Sequence, residues 1–141
     1  MDNSSEESKS FVNLAVTLNA KKEVLVIKRI KKETGKDGAV LEWAFPGGKQ
    51  LLQESRKQCV ERETLAETGY QVISENEISM RVHPQFPVLV VYHLCHLHEE
   101  KPVSLPKESW EVEEVKWVNP QELRTLFTTD IDPKVAKELG I

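Results

Sequence analysis

Gln53-Glu54-Ser55-Arg56-Lys57-Gln58-Cys59-Val60-Glu61-Arg62-Glu63-Thr64-Leu65-Ala66-Glu67-Thr68 contains neither Gly nor Pro and is rich in strong helix formers; Gly69 follows where a left-handed C-terminal residue is wanted. The segment predicts one long helix in the middle of the chain. At about 100° per residue, Cys59, Val60 and Ala66 fall within an arc of roughly 120° that also holds Glu63 and Glu67. Two acids thus lie inside the apolar stripe. They are spaced i, i+4, where like charges repel by a few tenths of a kcal/mol on an exposed helix and by more when partly buried. A positive group is expected between them; a solvated Glu/Arg-rich helix with a weak stripe is the plainer alternative.

Working outward, the flanks read as strands. Phe11 to Leu18 alternates, with Val12, Leu14, Val16 and Leu18 on one side and Asn13 and Thr17 on the other, as in a half-buried strand. Glu23 to Ile30 and Ala39 to Phe45 follow, the latter ended by Pro46-Gly47-Gly48. After the helix, Tyr70 to Ile73, Ile78 to His83, Val88 to Leu97 and Val112 to Val118 are further strands. Asn119-Pro120-Gln121-Glu122 carries a helix-start pattern, with the helix running to about Phe127. Asp132-Pro133 repeats the signal for a last short helix through Leu139. Strands on both sides of a helix, with no repeat and no linker, predict a single α/β domain over residues 11–141. The Ser- and Glu-rich start, Met1 to Ser10, reads as a short disordered tail and not as a targeting signal.

With 141 residues, 39% of them hydrophobic and 30% charged, the chain has the bulk of one globular domain. A chain of that size buries roughly 68–70% of its unfolded surface, enough for a core without disulfides. The balance of 19 Lys+Arg against 23 Asp+Glu gives a net charge of -4, so no basic field attracts polymeric nucleic acid or an acidic membrane. No apolar run approaches the ~20 residues that cross a bilayer, and Cys59 and Cys95 sit within regular elements. A reducing, cytoplasmic setting is expected.

Pro46-Gly47-Gly48 just before the helix allows close backbone approach to a ligand. Carboxylates, a carbonyl and water are the oxygen-rich set that a hard cation such as Mg²⁺ takes, commonly together with a phosphate. At this point a resemblance enters. Gly48-Lys49-Gln50-Leu51-Leu52-Gln53-Glu54, then seven residues, then Arg62-Glu63-Thr64-Leu65-Ala66-Glu67-Thr68-Gly69-Tyr70 resembles the Nudix box, G-x5-E-x7-R-E-U-x-E-E-x-G-U, where U is bulky and apolar. The likeness extends upstream to Trp43-Ala44-Phe45-Pro46 and downstream to Glu111-Val112-Glu113-Glu114-Val115-Lys116-Trp117-Val118.

The resemblance implies an α/β/α sandwich with a mixed central sheet and hydrolysis of a nucleoside diphosphate linked to another group X. It implies Glu63 and Glu67 as metal ligands, with the Gly48 carbonyl as another, and Arg62 and Glu54 as a supporting pair. Many relatives carry a further acid about six residues before the Trp of the late strand, as metal ligand or general base. That position is Glu111, with Glu108 as the nearby substitute. Mg²⁺, for which Mn²⁺ can substitute, would neutralise the phosphoanhydride and activate water. Two positions depart from the pattern: Thr64 takes an apolar place, and Ala66 replaces the first glutamate of the Glu-Glu pair.

Beyond the box, His83-Pro84-Gln85-Phe86-Pro87 reads as a connector between strands, with Arg81 and His83 near enough to meet a phosphate or base. Trp110 precedes Glu111 and is either a stacking surface for a nucleobase or a core lid. Trp43 and Trp117 read as core. His93 points away from His96 and His98, so the three read as scattered strand histidines and not as a zinc site. The expected activity is that of a small MutT-like enzyme, converting a (deoxy)nucleoside triphosphate to monophosphate and pyrophosphate. ADP-ribose or nucleotide-sugar hydrolysis is the enzymatic alternative. A weakly active nucleotide-binding sensor, suggested by Ala66, is the other.

Overall fold

The computed structural model describes the backbone from Glu7 to Ile141 apart from Ser109, and side chains from Phe11 onward. Seven strands form one mixed sheet: β1 (Glu7–Leu18), β2 (Val24–Thr34), β3 (Val40–Ala44), β4 (Gly47–Leu51), β5 (Val72–Val82), β6 (Leu89–Leu97) and β7 (Val112–Val118). The path runs β3-β2-β1-β6-β5, with β4 also paired to β1 and β7 to β2. Only β1 and β6 run parallel, in register from Phe11↔Leu89 to Leu18↔His96; the other pairs are antiparallel.

The central helix, α1 (Arg56–Thr68), starts three residues later than the sequence pattern suggests. Ser55 is its cap: its side chain accepts from Gln58 N–H at 3.0 Å while Gln58 Oε1 accepts from Ser55 N–H at 2.9 Å. Gly69, at φ 80, closes it in the left-handed conformation as expected. The second helical stretch begins as a 3₁₀ turn (Pro120–Glu122) capped by Asn119 and continues as α2 (Leu123–Leu126). The last helix, α3 (Pro133–Leu139), is capped by Asp132.

These helices cover opposite faces of the sheet. Even-numbered β1 residues face α2 and α3, where Val16 packs with Val24, Val26, Val90, Val118, Leu123 and Val135. Odd-numbered ones face α1, where Ala15 meets Val60, Val72 and Cys95. The half-buried β1 of the sequence is therefore buried on both sides, and Asn13 and Thr17 are fully enclosed. Other expectations are corrected in the same way. Pro46-Gly47-Gly48 ends β3 as expected, but the two glycines are not only a turn: they open a further strand, β4, which adds to β1 with Asn13 opposite Gly48. The two strands expected over residues 70–83 are one, β5, kept continuous by irregularities at Ser74/Asn76 and Glu77/Ser79. β1 takes in Glu7 to Ser10 from the expected tail; residues 1–6 lie outside the described residues. Among the described residues, no helix is long and apolar enough to cross a membrane.

Candidate active site

The buried face of α1 comprises Cys59, Val60, Glu63, Thr64, Glu67 and Thr68, two rows at i, i+4 spacing. Ala66 lies off this face and is only half-buried. Glu63 and Glu67, 7% and 5% exposed, are turned against β4. The two glycines of that strand seat them. Gly47 N–H donates to Glu67 Oε1 at 2.7 Å. At Gly48 a Cβ would lie 2.7 Å from Glu63 Oε2, so only glycine lets that carboxylate rest against the backbone.

Arg62 and Glu54 form the expected pair. Arg62 Nε donates to Glu54 Oε2 at 2.5 Å and Nη2 to Oε1 at 3.0 Å, while Nη1 reaches Glu63 Oε1 at 2.6 Å. Burial alone would push the Glu54 carboxyl up, but hydrogen bonds from Arg62 and Leu51 N–H leave it below its ordinary value.

The third carboxylate is Glu108. Its ligand oxygens and those of Glu63 and Glu67 all lie within 4.8 Å of one another. Glu111, the position favoured by distance to Trp117, is exposed and lines the same cleft, one hydrogen bond removed from Glu108. The reason is a docking contact invisible in strand spacing. The N–H groups of Lys107 and Glu108 both donate to the Ala66 carbonyl, at 2.8 and 3.0 Å, which pins the loop to the end of α1. A turn closed by Glu111 N–H on Glu108 C=O, at 3.0 Å, then leads Glu111 away.

Electrostatically the cluster is unbalanced. Burial, then Glu63, Glu108 and Glu111, push the Glu67 carboxyl well above its usual range, against the opposing bond from Gly47. Burial, then Glu63 and Glu111, push Glu108 up to about 7. Glu108 Oε2 is buried and has no hydrogen-bond partner among the described residues. Three converging carboxylates, one with an orphaned oxygen, beside a glycine that admits close approach, fit a hard divalent cation.

The cluster opens onto a cleft of about 600 Å³. Arg29, Lys31 and Lys49 line it and had no signal in the sequence beyond their charge; the bends of β2 bring the first two there. Phe45, Tyr92 and Phe86 supply aromatic surface. Trp110 also lines the cleft and is 69% exposed, which excludes the core-lid reading. His83 lines it with Nδ1 accepting from Gln85 N–H at 3.0 Å. Arg81 does not. Its guanidinium bonds Asp130 Oδ2 at 2.7 Å, stands 3.2 Å from Asp132 Oδ2 and sits over Tyr92. Arg81 thus braces three residues that do line the cleft.

Trp43 and Trp117 are half-buried: Lys28 and Lys116 sit over the Trp43 ring, and Tyr70 meets Trp117 edge-on. Both cysteines are buried, and burial raises each thiol to about 12, as for inert packing residues.

Comparison with known proteins agrees with this geometry. The family model described as NUDIX domain matches residues 11–139. No curated protein matches. Among solved structures, the MutT protein from Methanosarcina mazei superposes with a TM-score of 0.67 at 22% identity, covering 96% of this chain and 95% of that one. A NUDIX hydrolase from Nitrosomonas europaea gives 0.67 at 18%, covering 92% and 85%. An ADP-ribose pyrophosphatase from Streptococcus suis gives 0.57 at 19%, covering 81% and 76%. With the box spacing, the sandwich of helices about a mixed sheet and a family match over nearly its whole length, the chain belongs to the Nudix family of hydrolases.

Proposed function

We propose that the protein is a Mg²⁺-dependent cytoplasmic pyrophosphohydrolase of (deoxy)nucleoside triphosphates, yielding a monophosphate and pyrophosphate. The observation that carries the reading is the Glu63–Glu67–Glu108 cluster at a cleft that also presents cationic and aromatic side chains. In this reading the three carboxylates, with the Gly48 carbonyl, hold the cation. When bound, Mg²⁺ cancels the phosphate charge that repels a nucleophile and acidifies a water molecule. The chain supplies the rest. Arg29, Lys31 and Lys49 bind the phosphate oxygens by charge-assisted hydrogen bonds. Arg62, held by Glu54, fixes Glu63 in one rotamer. Glu111, which lines the cleft next to Glu108 and is not part of the ligand cluster, accepts the proton of the attacking water. Trp110 and the aromatic residues of the cleft take the nucleobase.

The size of the cleft also admits a nucleoside diphosphate with a further group X, and solved structures similar in fold include an ADP-ribose pyrophosphatase and a UDP-X diphosphatase. ADP-ribose and nucleotide sugars are therefore the comparison substrates. The test is incubation with Mg²⁺ and a panel of nucleoside triphosphates, nucleotide sugars and ADP-ribose, following phosphate-containing products. Fastest turnover of a triphosphate supports the reading. Preference for ADP-ribose or a sugar nucleotide overturns the substrate, and nucleotide binding without turnover of any member overturns the enzyme in favour of a sensor.

A further inference from the structure

A second polar cluster lies under α1, away from the cleft. Ser74 on β5, His93 on β6, Asn13 on β1 and Gln50 on β4 form one line of hydrogen bonds. Ser74 Oγ is 2.9 Å from His93 Nδ1, and His93 Nε2 is 2.8 Å from Asn13 Oδ1. Asn13 Nδ2 donates to Gln50 Oε1 at 2.9 Å, and Gln50 Nε2 donates to the Glu54 carbonyl at 2.7 Å. Asn13 and His93 are 0% and 1% exposed, and Ser74 is buried.

The line has only one consistent polarity. A backbone carbonyl can only accept, so Gln50 must present its NH₂ group to Glu54 and its oxygen to Asn13. Asn13 must then give its NH₂ group to Gln50 and its oxygen to the histidine. That oxygen also only accepts, so His93 carries hydrogen on Nε2 and Nδ1 takes the Ser74 hydroxyl hydrogen. Burial keeps the imidazole neutral, with a titration point below its ordinary value.

The far end of this line is the frame of the acidic cluster. β4 lies off the main sheet path and, among the described residues, pairs with β1 alone, yet Gly47 and Gly48 on it seat Glu67 and Glu63. Glu54, whose carbonyl ends the line, grips the Arg62 that in turn grips Glu63. We infer that Asn13, Gln50 and His93 are positioning residues: the polarised line from β5 across the sheet holds β4 and Glu54 in the one arrangement that brings Glu63 to the cation. This rests on the metal reading of Glu63 given above.

The experiment uses the full chain without nucleotide and measures Mn²⁺ dissociation by electron paramagnetic resonance, together with the ¹⁵N resonances of His93. In the unsubstituted chain His93 is expected wholly as the neutral Nε2–H tautomer. Gln50→Leu keeps the bulk of the half-buried side chain and removes both of its bonds. It is expected to raise the Mn²⁺ Kd about tenfold, the lower end for partners that orient ligands, and to release His93 into a mixture of tautomers. Asn13→Asp, which leaves only acceptors at the centre of the line, is expected to weaken Mn²⁺ comparably and to protonate His93. Absence of Mn²⁺ binding to the unsubstituted chain overturns the metal reading and this one with it. Normal binding there, with a Kd within twofold in Gln50→Leu, overturns this inference alone, as does an Nδ1–H tautomer in the unsubstituted chain. Gln50→Leu keeps the test open should Asn13→Asp fail to fold.

Discussion

Gly48→Ala is the substitution that isolates the seat of the first glutamate. The added methyl would stand 2.7 Å from Glu63 Oε2, 2.8 Å from Cδ and 3.2 Å from Cγ, where ordinary contact begins at 3.4 Å. The carboxylate must therefore retreat by about 0.7 Å, the difference between 3.4 and 2.7 Å. It cannot do so freely, because Arg62 Nη1 holds its other oxygen at 2.6 Å. Displacements near 1 Å in a catalytic array can cost on the order of a hundredfold, so kcat/KM should fall about thirtyfold, roughly 2 kcal/mol. Gly48 is not among the positive-φ glycines, so the fold itself is spared. The paired control is Gly47→Ala. There φ is 147 and the methyl would lie 2.0 Å from the Asn13 carbonyl, so the damage is to the sheet. Steady-state kinetics with a triphosphate, Mg²⁺ titration and thermal melts of both variants separate the two effects. A Gly48→Ala protein with unchanged Mg²⁺ dependence and unchanged kcat/KM would refute the seat.

Glu67→Gln keeps an acceptor for Gly47 N–H while deleting a buried charge, so turnover should drop about a hundredfold or more while the metal-free Tm at pH 8 rises by about 2–4 °C; a lower Tm contradicts the electrostatic account. The pH dependence has a definite sign. Glu67 and Glu108 have folded-state values raised above the ordinary 4.5, Glu108 to about 7, so the folded chain keeps protons that the unfolded chain has released. The contribution of these two groups to metal-free stability is then full below pH 4.5 and is lost as the pH rises through about 7, and Mg²⁺ should flatten the loss; an EDTA-treated Glu67→Gln/Glu108→Gln double variant whose melting midpoint falls relative to the unsubstituted chain between pH 4.5 and 8 would contradict this. Arg81→Met leaves the buried Asp132 short of a partner and should cost about 1–3 kcal/mol in urea denaturation, with a rise in KM larger than the fall in kcat; equal effects on both would place Arg81 in the chemistry instead. Trp110→Ala should raise KM about tenfold at constant kcat and Tm, the size of a lost base stack, and an unchanged KM removes Trp110 from the nucleotide.

Much of the site could be read from residue order because it is built on one helix. Spacing of i, i+4 along α1 puts Glu63 and Glu67 on one buried face whatever the rest of the chain does, and Arg62 and Glu54 bracket the turn that enters it. The fold class followed from strands on both sides of that helix. Contacts between distant segments were not legible. Glu108, named only as the substitute for Glu111, reaches the cluster through the Ala66 carbonyl, which every residue possesses, so no residue type marked it as the preferred acid. Strand β4 hides in a glycine pair that also spells a turn, and its pairing depends on the both-sided burial of β1. Arg81 looked like a substrate contact because its charge was visible in the sequence and its partners Asp130 and Asp132, some fifty residues away, were not.

The pairing of Lys107 and Glu108 with one carbonyl at the end of α1 makes completion of the acidic cluster a matter of helix fraying. Helix ends open far more readily than helix centres, on a scale set by local and not global stability. Whenever the last turn of α1 loosens, the loop loses its moorings and the third carboxylate departs, while Glu63, a turn earlier, stays in place and Glu67, in the fraying turn itself, is left to its bond from Gly47 N–H. The exchange protection of two amide protons therefore measures, without any ligand, how often the cluster stands assembled. The tuning of that population belongs to residues that never touch a substrate: Gly69, whose carbonyl takes Val103 N–H at 2.8 Å, and Ala66, whose carbonyl takes both loop amides.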